Sequence, residues 1–349
     1  MSQPHVAGLS PRPTLEAVAE RAGVSRATVS RVVNGMPGVR PGLVDRVRQA
    51  VEELRYVPNQ AARSLVTRRH DAVAVVIAEP ETRVFADPFF AQQLRGISKE
   101  LTAHDSQLVL LLVEGPNDFA RVGRYLGGGH VDGALVFSVH IDDPMPVIID
   151  RSGLPTVYGG RPVKSTDTAV PFVDCDNRGG AREAVRHLVS LGRRRIAHIT
   201  GPLDQTSAVD RLDGYRDVLP DADPQLLATG DFTPAGGERA MCELLDRAPD
   251  LDAVFVASDL TASGALRALK AYGRRVPEDV AVVGFDDITT IAEHTEPPLT
   301  TVRQDIEEMG REMVRLLMRG LDRPDGDGAP VTPPPPVIMP TGLIRRASA

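Results

Sequence analysis

From residue 71 onward the chain alternates short, nearly continuous apolar runs with amphipathic stretches, and this rhythm constrains the fold more than any other feature. Strands are expected at 72–78, 107–113, 133–138, 156–158, 172–175, 195–200, 253–257 and 280–284. Helical spacing falls between them at 89–103, 178–191, 237–247, 261–272 and 306–320. A strand that is apolar at almost every position is buried on both faces. In a chain of alternating strands and helices this means parallel sheets covered by helices. So many strands pack better as two lobes than as one sheet. The Pro-, Gly- and Asp-rich stretch 322–336 reads as a loop leading to a last strand near 337–345. The expected fold class is α/β, with a doubly wound, two-lobed body over residues 71–346.

The first 70 residues are built differently. They hold eleven arginines, no lysine and five acids, a local excess of +6 in a chain whose net charge is −7. A small basic head on an acidic body is the layout of a protein that meets phosphates at one end only. Residues 1–13, with three prolines and no apolar core, are expected to be a disordered extension rather than a secretory signal. Thr14 is placed to cap a first helix, Gly23 to close a tight left-handed turn, and Ser25 to cap a second helix with Val29, Val32 and Val33 inside. A third helix carries Leu43, Val47, Ala50, Val51 and Leu54 on one side and is expected to stop at Pro58-Asn59. Two short helices joined by a glycine turn and braced by a third form a helix-turn-helix over residues 14–57. Residues 58–70 then read as a linker with about two turns of helix at 59–65, too short to be stable alone.

The second helix of the head is where chemistry concentrates. Ser25, Thr28, Ser30 and Asn34 can donate to phosphates, while Arg26 and Arg31 are long enough to reach guanine O6 and N7. An ordinary solvated arginine face is the alternative, and the capped glycine-turn context argues against it. Elsewhere the residues exclude more than they assign. Cys175 and Cys242, without a CxxC pattern, read as reduced, buried thiols, and the scattered histidines show no metal-ligand spacing. Gly127-Gly128-Gly129 is not followed by a GK[ST] signature, and no GxSxG occurs. No catalytic centre, cofactor or metal is expected. The apolar runs are far too short to span a membrane, so a cytoplasmic protein is expected.

The run from Thr14 through Ala22-Gly23-Val24-Ser25 to Thr28-Val29-Ser30-Arg31-Val32-Val33-Asn34 resembles the DNA-binding head of the lactose-repressor family. The resemblance continues at Tyr56-Val57-Pro58-Asn59, Ala61-Ala62-Arg63-Ser64-Leu65, Asp87-Pro88-Phe89-Phe90, Val283-Gly284-Phe285-Asp286-Asp287 and Pro298-Leu299-Thr300-Thr301-Val302-Arg303-Gln304. It implies that Arg26 and Ala27 occupy the two base-reading positions that vary with operator, and that Arg31 is a further base reader. It also implies a hinge helix at 59–65, paired in a homodimer and set into the minor groove through Asn59, Ala62 and Leu65, with Leu65 as the wedge. A linker residue touching the body is the alternative for Leu65.

By the same resemblance the body is a periplasmic-binding-protein-like sensor closing on a small-molecule effector. Phe85, Phe89 and Phe90 follow the first strand, where a crevice opens in such folds, although a core cluster is an alternative for Phe89 and Phe90. Arg211, Phe232, Asp286 and Gln304 match effector-binding positions; a structural ion pair is the alternative for Arg211 and Asp286. Gly160, beside Arg161, and Ser258 replace larger polar residues of some relatives, leaving room for a ligand such as an oligosaccharide. The expected function is a repressor of carbohydrate-utilisation genes, released from a palindromic double-stranded DNA operator by a sugar. A purine-co-repressed regulator and a solute-binding receptor without DNA function are the alternatives.

Overall fold

The computed structural model describes residues 13–57, 69–162, 170–322 and 334–349. The expected extension up to residue 12 and the hinge helix at 59–65, with Asn59, Ala62 and Leu65, lie outside the described residues. The chain divides into two compact units, Met1–His70 and Asp71–Ala349.

The head contains α1 (Leu15–Ala22), α2 (Arg26–Val33) and α3 (Pro41–Leu54). Each short helix begins at a hydroxyl cap: Thr14 Oγ1 accepts the Ala17 N–H and Ser25 Oγ accepts the Thr28 N–H at 3.2 Å. Gly23 adopts φ 61° between α1 and α2, a conformation only glycine takes without steric cost. The Arg46 guanidinium donates to the Ala22 and Gly23 carbonyls, so α3 holds the turn in place. Val18, Ala22, Val29, Val47, Ala50 and Tyr56 form the small core, and Val32 and Val33 are only half-buried. The third helix ends earlier than expected. It stops at Leu54 because Arg55 turns left-handed at φ 50°, three residues before Pro58.

Among the described residues, the body holds two six-stranded sheets. In chain order the strands are β1 (Ala72–Ile77), β2 (Gln107–Leu112), β3 (Gly133–Phe137), β4 (Thr156–Gly159), β5 (Phe172–Cys175), β6 (Ile196–Thr200), β7 (Leu227–Thr229), β8 (Ala253–Val256), β9 (Ala281–Asp286), β10 (Thr300–Arg303), β11 (Val337–Met339) and β12 (Gly342–Ile344). The first sheet runs β2-β1-β3-β4-β5-β11 and is parallel throughout; the second runs β7-β6-β8-β9-β10-β12, with only β12 antiparallel. The single last strand expected at 337–345 is therefore two strands, one in each sheet. They are separated at Pro340-Thr341, since proline offers no N–H to a ladder. β7 and β10, absent from the expected set, are three and four residues long and mix polar with apolar positions.

Among the described elements, the chain crosses between lobes after β5, after β10 and between β11 and β12. Helix Ile306–Leu321 returns from the second lobe to pack on Pro88–Ala103 of the first. These two helices meet so closely that a Cβ on Gly96 would lie 1.9 Å from the Glu307 carbonyl oxygen. In each sheet the strand order reverses beside the first strand, between β1 and β3 and between β6 and β8. Both reversal points open a crevice at the carboxyl ends of the strands. Among the described residues, no helix is long and apolar enough to cross a membrane.

Candidate functional site

On the head, burying Val29 beneath α2 leaves the opposite face to solvent. Arg26, Ala27 and Arg31 are exposed there. Arg26 holds Glu16 at 3.1 Å in a solvated ion pair, an interaction weak enough for a competing anion to replace. Ser25 Oγ caps the helix and lies 2.9 Å from Thr28 Oγ1, and Asn34 Nδ2 donates to Ser30 Oγ at 3.3 Å. The four hydroxyl and amide groups expected to meet phosphate thus line the same helix and are tied to one another in adjacent pairs.

In the body, a cavity of about 120 Å³ lies between the two sheets at their carboxyl ends. That is roughly ten times the space a single water needs. Phe89, Phe90, Arg161, Arg211, Phe232, Ser258, Asp286 and Gln304 all line it. Phe85 does not join them. It sits 74% exposed on helix Glu81–Ala86, because the chain turns at Asp87 before Phe89 and Phe90 swing inward. Phe90 is also part of the first lobe's core, stacked on Phe137 at 6.1 Å, and Phe89 meets it edge-on at 5.6 Å. Phe232 approaches from the other lobe. Its ring lies where a Cβ on Gly201 would stand, so that glycine makes room for it.

The polar wall is a linked set. The Arg211 guanidinium stacks on Phe285, 3.7 Å from the ring centroid, donates from Nε to Asn177 Oδ1 at 2.9 Å, and also donates to the Ala257 carbonyl. Its Nη1 stands 3.6 Å from Asp286 Oδ1, so the ion pair anticipated as an alternative does form, on the cavity wall itself. Gln304 Nε2 donates to Asp286 Oδ1 at 2.6 Å. Burial raises the Asp286 carboxyl to about 7; Arg211 opposes the rise and the charge of Asp87 across the cleft adds to it. Asp87 and Asp174, also on the wall, are raised by burial as well.

Ser258 is occupied differently: its hydroxyl caps helix Asp259–Ala271 by accepting the Thr261 N–H. Arg161 spans the lobes, with Nη2 donating to both carboxylate oxygens of Asp210 at 2.5 and 2.7 Å. Three cavity residues, Ser138, Phe232 and Asp286, have φ of 61°, 60° and 113°, a strained backbone that persists only where the surroundings enforce it.

Sequence reasoning missed Arg83, Asp87, Asp174, Asn177 and Gln205 on this wall. Asp87 stood in plain view in Asp-Pro-Phe-Phe, but its role there is to cap helix Pro88–Ala103 by accepting the Phe89 N–H. Asp174 hides in a strand that reads as apolar, and Gln205 becomes meaningful only when the lobes meet. Cys175 is buried as expected, whereas Cys242 is only half-buried; both are free. Among the described residues, no cluster of His, Cys, Asp and Glu could hold a metal. Aromatic faces beside carboxylates, amides and a guanidinium suit a small ligand that carries both hydroxyl groups and apolar faces.

Residues 14–59 match the signature of bacterial regulatory proteins of the lacI family, and residues 185–349 match a periplasmic binding protein-like domain. The HTH-type transcriptional regulator CelR of Thermobifida fusca is 51% identical over 341 residues, covering 97% of this chain and 98% of that protein. A solved complex of the transcriptional regulator CelR with cellobiose has 48% identity and a TM-score of 0.76, covering 97% of this chain and all of that one. The lac repressor dimer bound to operator and an anti-inducer has 28% identity and a TM-score of 0.82, covering 97% and 99%.

Proposed function

The chain belongs to the lacI family of DNA-binding bacterial transcriptional regulators, and from that premise we propose that it is a repressor of carbohydrate-utilisation genes that a disaccharide such as cellobiose releases from its operator. The observation that carries the ligand class is the pairing of Phe89 and Phe232, one from each lobe, around Arg211, Asp286 and Gln304. Aromatic rings pack on the C–H faces of a pyranose while the carboxylate, amide and guanidinium take its hydroxyls. Gly160 and Ser258, both on the cavity wall, leave room for a second ring.

On the DNA side, Arg26, Ala27 and Arg31 read base edges in the major groove, and Ser25, Thr28, Ser30 and Asn34 contact phosphate. Asn59, Ala62 and Leu65 act as the hinge in the minor groove. Residues 14–57 form the reading head, 58–70 the hinge and 71–346 the sensor and dimerisation domain. A homodimer presents two heads to a palindromic duplex and works in the cytoplasm, where the chromosome is. The alternatives are not favoured. A stand-alone solute receptor would leave the capped, arginine-bearing α2 without a task, and a purine co-repressor has no counterpart in the cellobiose-bound relative.

A gel shift on a symmetric duplex selected from random sequence tests this reading. The protein is expected to retain the duplex in dilute buffer and to release it as cellobiose is added. Failure to retain any selected duplex would overturn the DNA role, and retention unchanged by cellobiose would overturn the assigned ligand.

A further inference from the structure

Beside the cavity, a polar cluster joins the two lobes at a place distant in sequence from those chain crossings. Glu79 follows β1 in the first lobe and is 3% exposed. It accepts hydrogen bonds from Arg83 Nη1 at 2.7 Å and from Ser138 Oγ at 2.6 Å within its own lobe. From the second lobe it accepts Gln205 Nε2 at 3.1 Å. His140, after β3, places Nε2 3.3 Å from Glu79 and Nδ1 2.7 Å from Asp204 Oδ2, again across the lobes. The Ile141 N–H donates to the Asp204 carbonyl at 2.9 Å, so backbone as well as side chain joins the lobes here. The cluster runs from the cavity wall, at Ser138 and Gln205, out to the partly exposed His140 and Asp204.

We propose that Glu79, His140, Asp204 and Gln205 form a proton-linked latch that favours the closed arrangement of the lobes and makes effector capture depend on pH. The proposal rests on the sensor reading above and adds a regulatory input to it. The physical case is geometric. A glutamate this buried needs positive or donating neighbours, and two of its four donors, Gln205 directly and His140 through Asp204, keep their places only while the lobes stay together. Glu79 also acts as a positioning residue: it fixes Arg83, whose guanidinium lies 5.7 Å from the Phe232 ring centroid, against the aromatic wall contributed by the other lobe.

The charged groups around His140 are Glu79 from the loop after β1, Arg83 from helix Glu81–Ala86, Asp143 from its own loop and Asp204 from the second lobe. Hydrogen bonding to Glu79 raises the imidazole to about 9, against the opposing effect of burial, and Asp204 adds to the rise. Opening the lobes removes Asp204 but leaves Glu79, which lies on the same lobe as His140, so the ring loses only part of that rise. Closure therefore takes up a proton. The advantage is fully present below the open-lobe value, which Glu79 still holds above the ordinary one, and is lost as pH rises through about 9.

The test follows the distance between the lobes without any ligand, so it does not depend on the proposed sugar. Nitroxides on Arg124→Cys and Glu243→Cys in a Cys242→Ser background report that distance by double electron–electron resonance in the full chain. The wild-type distribution should shift from short to long between pH 6.5 and 9.5. His140→Gln and the milder surface variant Asp204→Asn should give the same distribution at both pH values while keeping the wild-type melting temperature. An unchanged wild-type distribution, or a full shift retained in His140→Gln, overturns the latch. Calorimetry with cellobiose should then show affinity falling several-fold between pH 7 and 9.5 in the wild type and not in His140→Gln. A distance shift in a protein that ignores cellobiose supports the latch and removes only the assigned sugar.

Discussion

Asp286 combines more constraints than any other side chain in the cavity. Its backbone has φ 113°, it is buried at the end of β9, Gln304 donates to one of its oxygens, and Arg211 stands just beyond hydrogen-bond range. Leaving Arg211 at 3.6 Å keeps carboxylate acceptor capacity free for a ligand. If that carboxylate accepts sugar hydroxyls, binding favours the ionised form, and protonation of the free site competes with it. The contribution of Asp286 to affinity is therefore expected to be complete above about 7, the value to which burial has raised this group, and to fall as pH drops below it, an acid limb separate from the alkaline fall set by His140. Asp286→Asn should remove that acid limb, weaken cellobiose binding and leave operator affinity intact; isothermal titration at several pH values reads the first two and a gel shift the third. An unaltered acid limb in the variant would assign it to another group, with Asp87 the nearest candidate. On the head, Arg31 projects from α2 into solvent. Its replacement by alanine should cost about 1–3 kcal/mol on the selected duplex and relax preference at one base pair. Equal loss on every sequence would make it a phosphate contact instead.

At the scale of elements, what the sequence reveals depends on whether the cause is local. The caps at Thr14 and Ser25, the left-handed Gly23 and the long buried strands such as β1 and β3 are fixed within a few residues, and each was legible. β7 and β10 were not, because they are short strands added at or near sheet edges, where pairing rather than pattern makes them strands. The splitting of β11 from β12 escaped for a related reason: nothing in 337–345 records that two sheets compete for it. In the cavity, Arg211, Phe232, Asp286 and Gln304 were legible through motif resemblance, whereas Gln205 on its wall and Glu79 and His140 beside it acquire partners only through tertiary structure. Close helix crossings are likewise written in single glycines. A Cβ at Gly264 would stand 1.8 Å from the Pro234 carbonyl oxygen, and one at Gly237 2.0 Å from that of Thr261. Gly264→Ala should push helices Pro234–Arg247 and Asp259–Ala271 apart and destabilise the second lobe by about 1–3 kcal/mol. Thermal unfolding followed by circular dichroism measures this. Gly127→Ala, where nothing lies within 4 Å of the added carbon, is the matched control and should leave the melting temperature within a degree or two of wild type.

For the whole molecule, reading DNA at one end and capturing a small molecule in the body make a regulator only if the two are energetically coupled. A sugar that bound the DNA-bound and DNA-free forms equally well would change nothing, however tightly it bound. Coupling of this kind amounts typically to about 1–3 kcal/mol, or roughly 5- to 150-fold in affinity. Thermodynamic linkage makes it reciprocal: the factor by which saturating cellobiose weakens operator binding must equal the factor by which saturating operator weakens cellobiose binding. Both factors can be measured at one salt concentration, the first by fluorescence anisotropy of a labelled duplex and the second by titration calorimetry with and without that duplex. Matching factors above about fivefold are expected for a sugar-released repressor. A factor of one in both directions would separate the cavity from regulation even if each ligand bound. Factors below one would mean that the sugar strengthens operator binding, which reverses the proposed direction of control while keeping both sites. Salt sharpens the comparison, because phosphate contacts by the basic head make operator affinity fall steeply with ionic strength, whereas the buried cavity responds little. The coupling factor should therefore survive a change of salt that shifts absolute operator affinity by orders of magnitude, since it belongs to the conformational equilibrium and not to either contact surface.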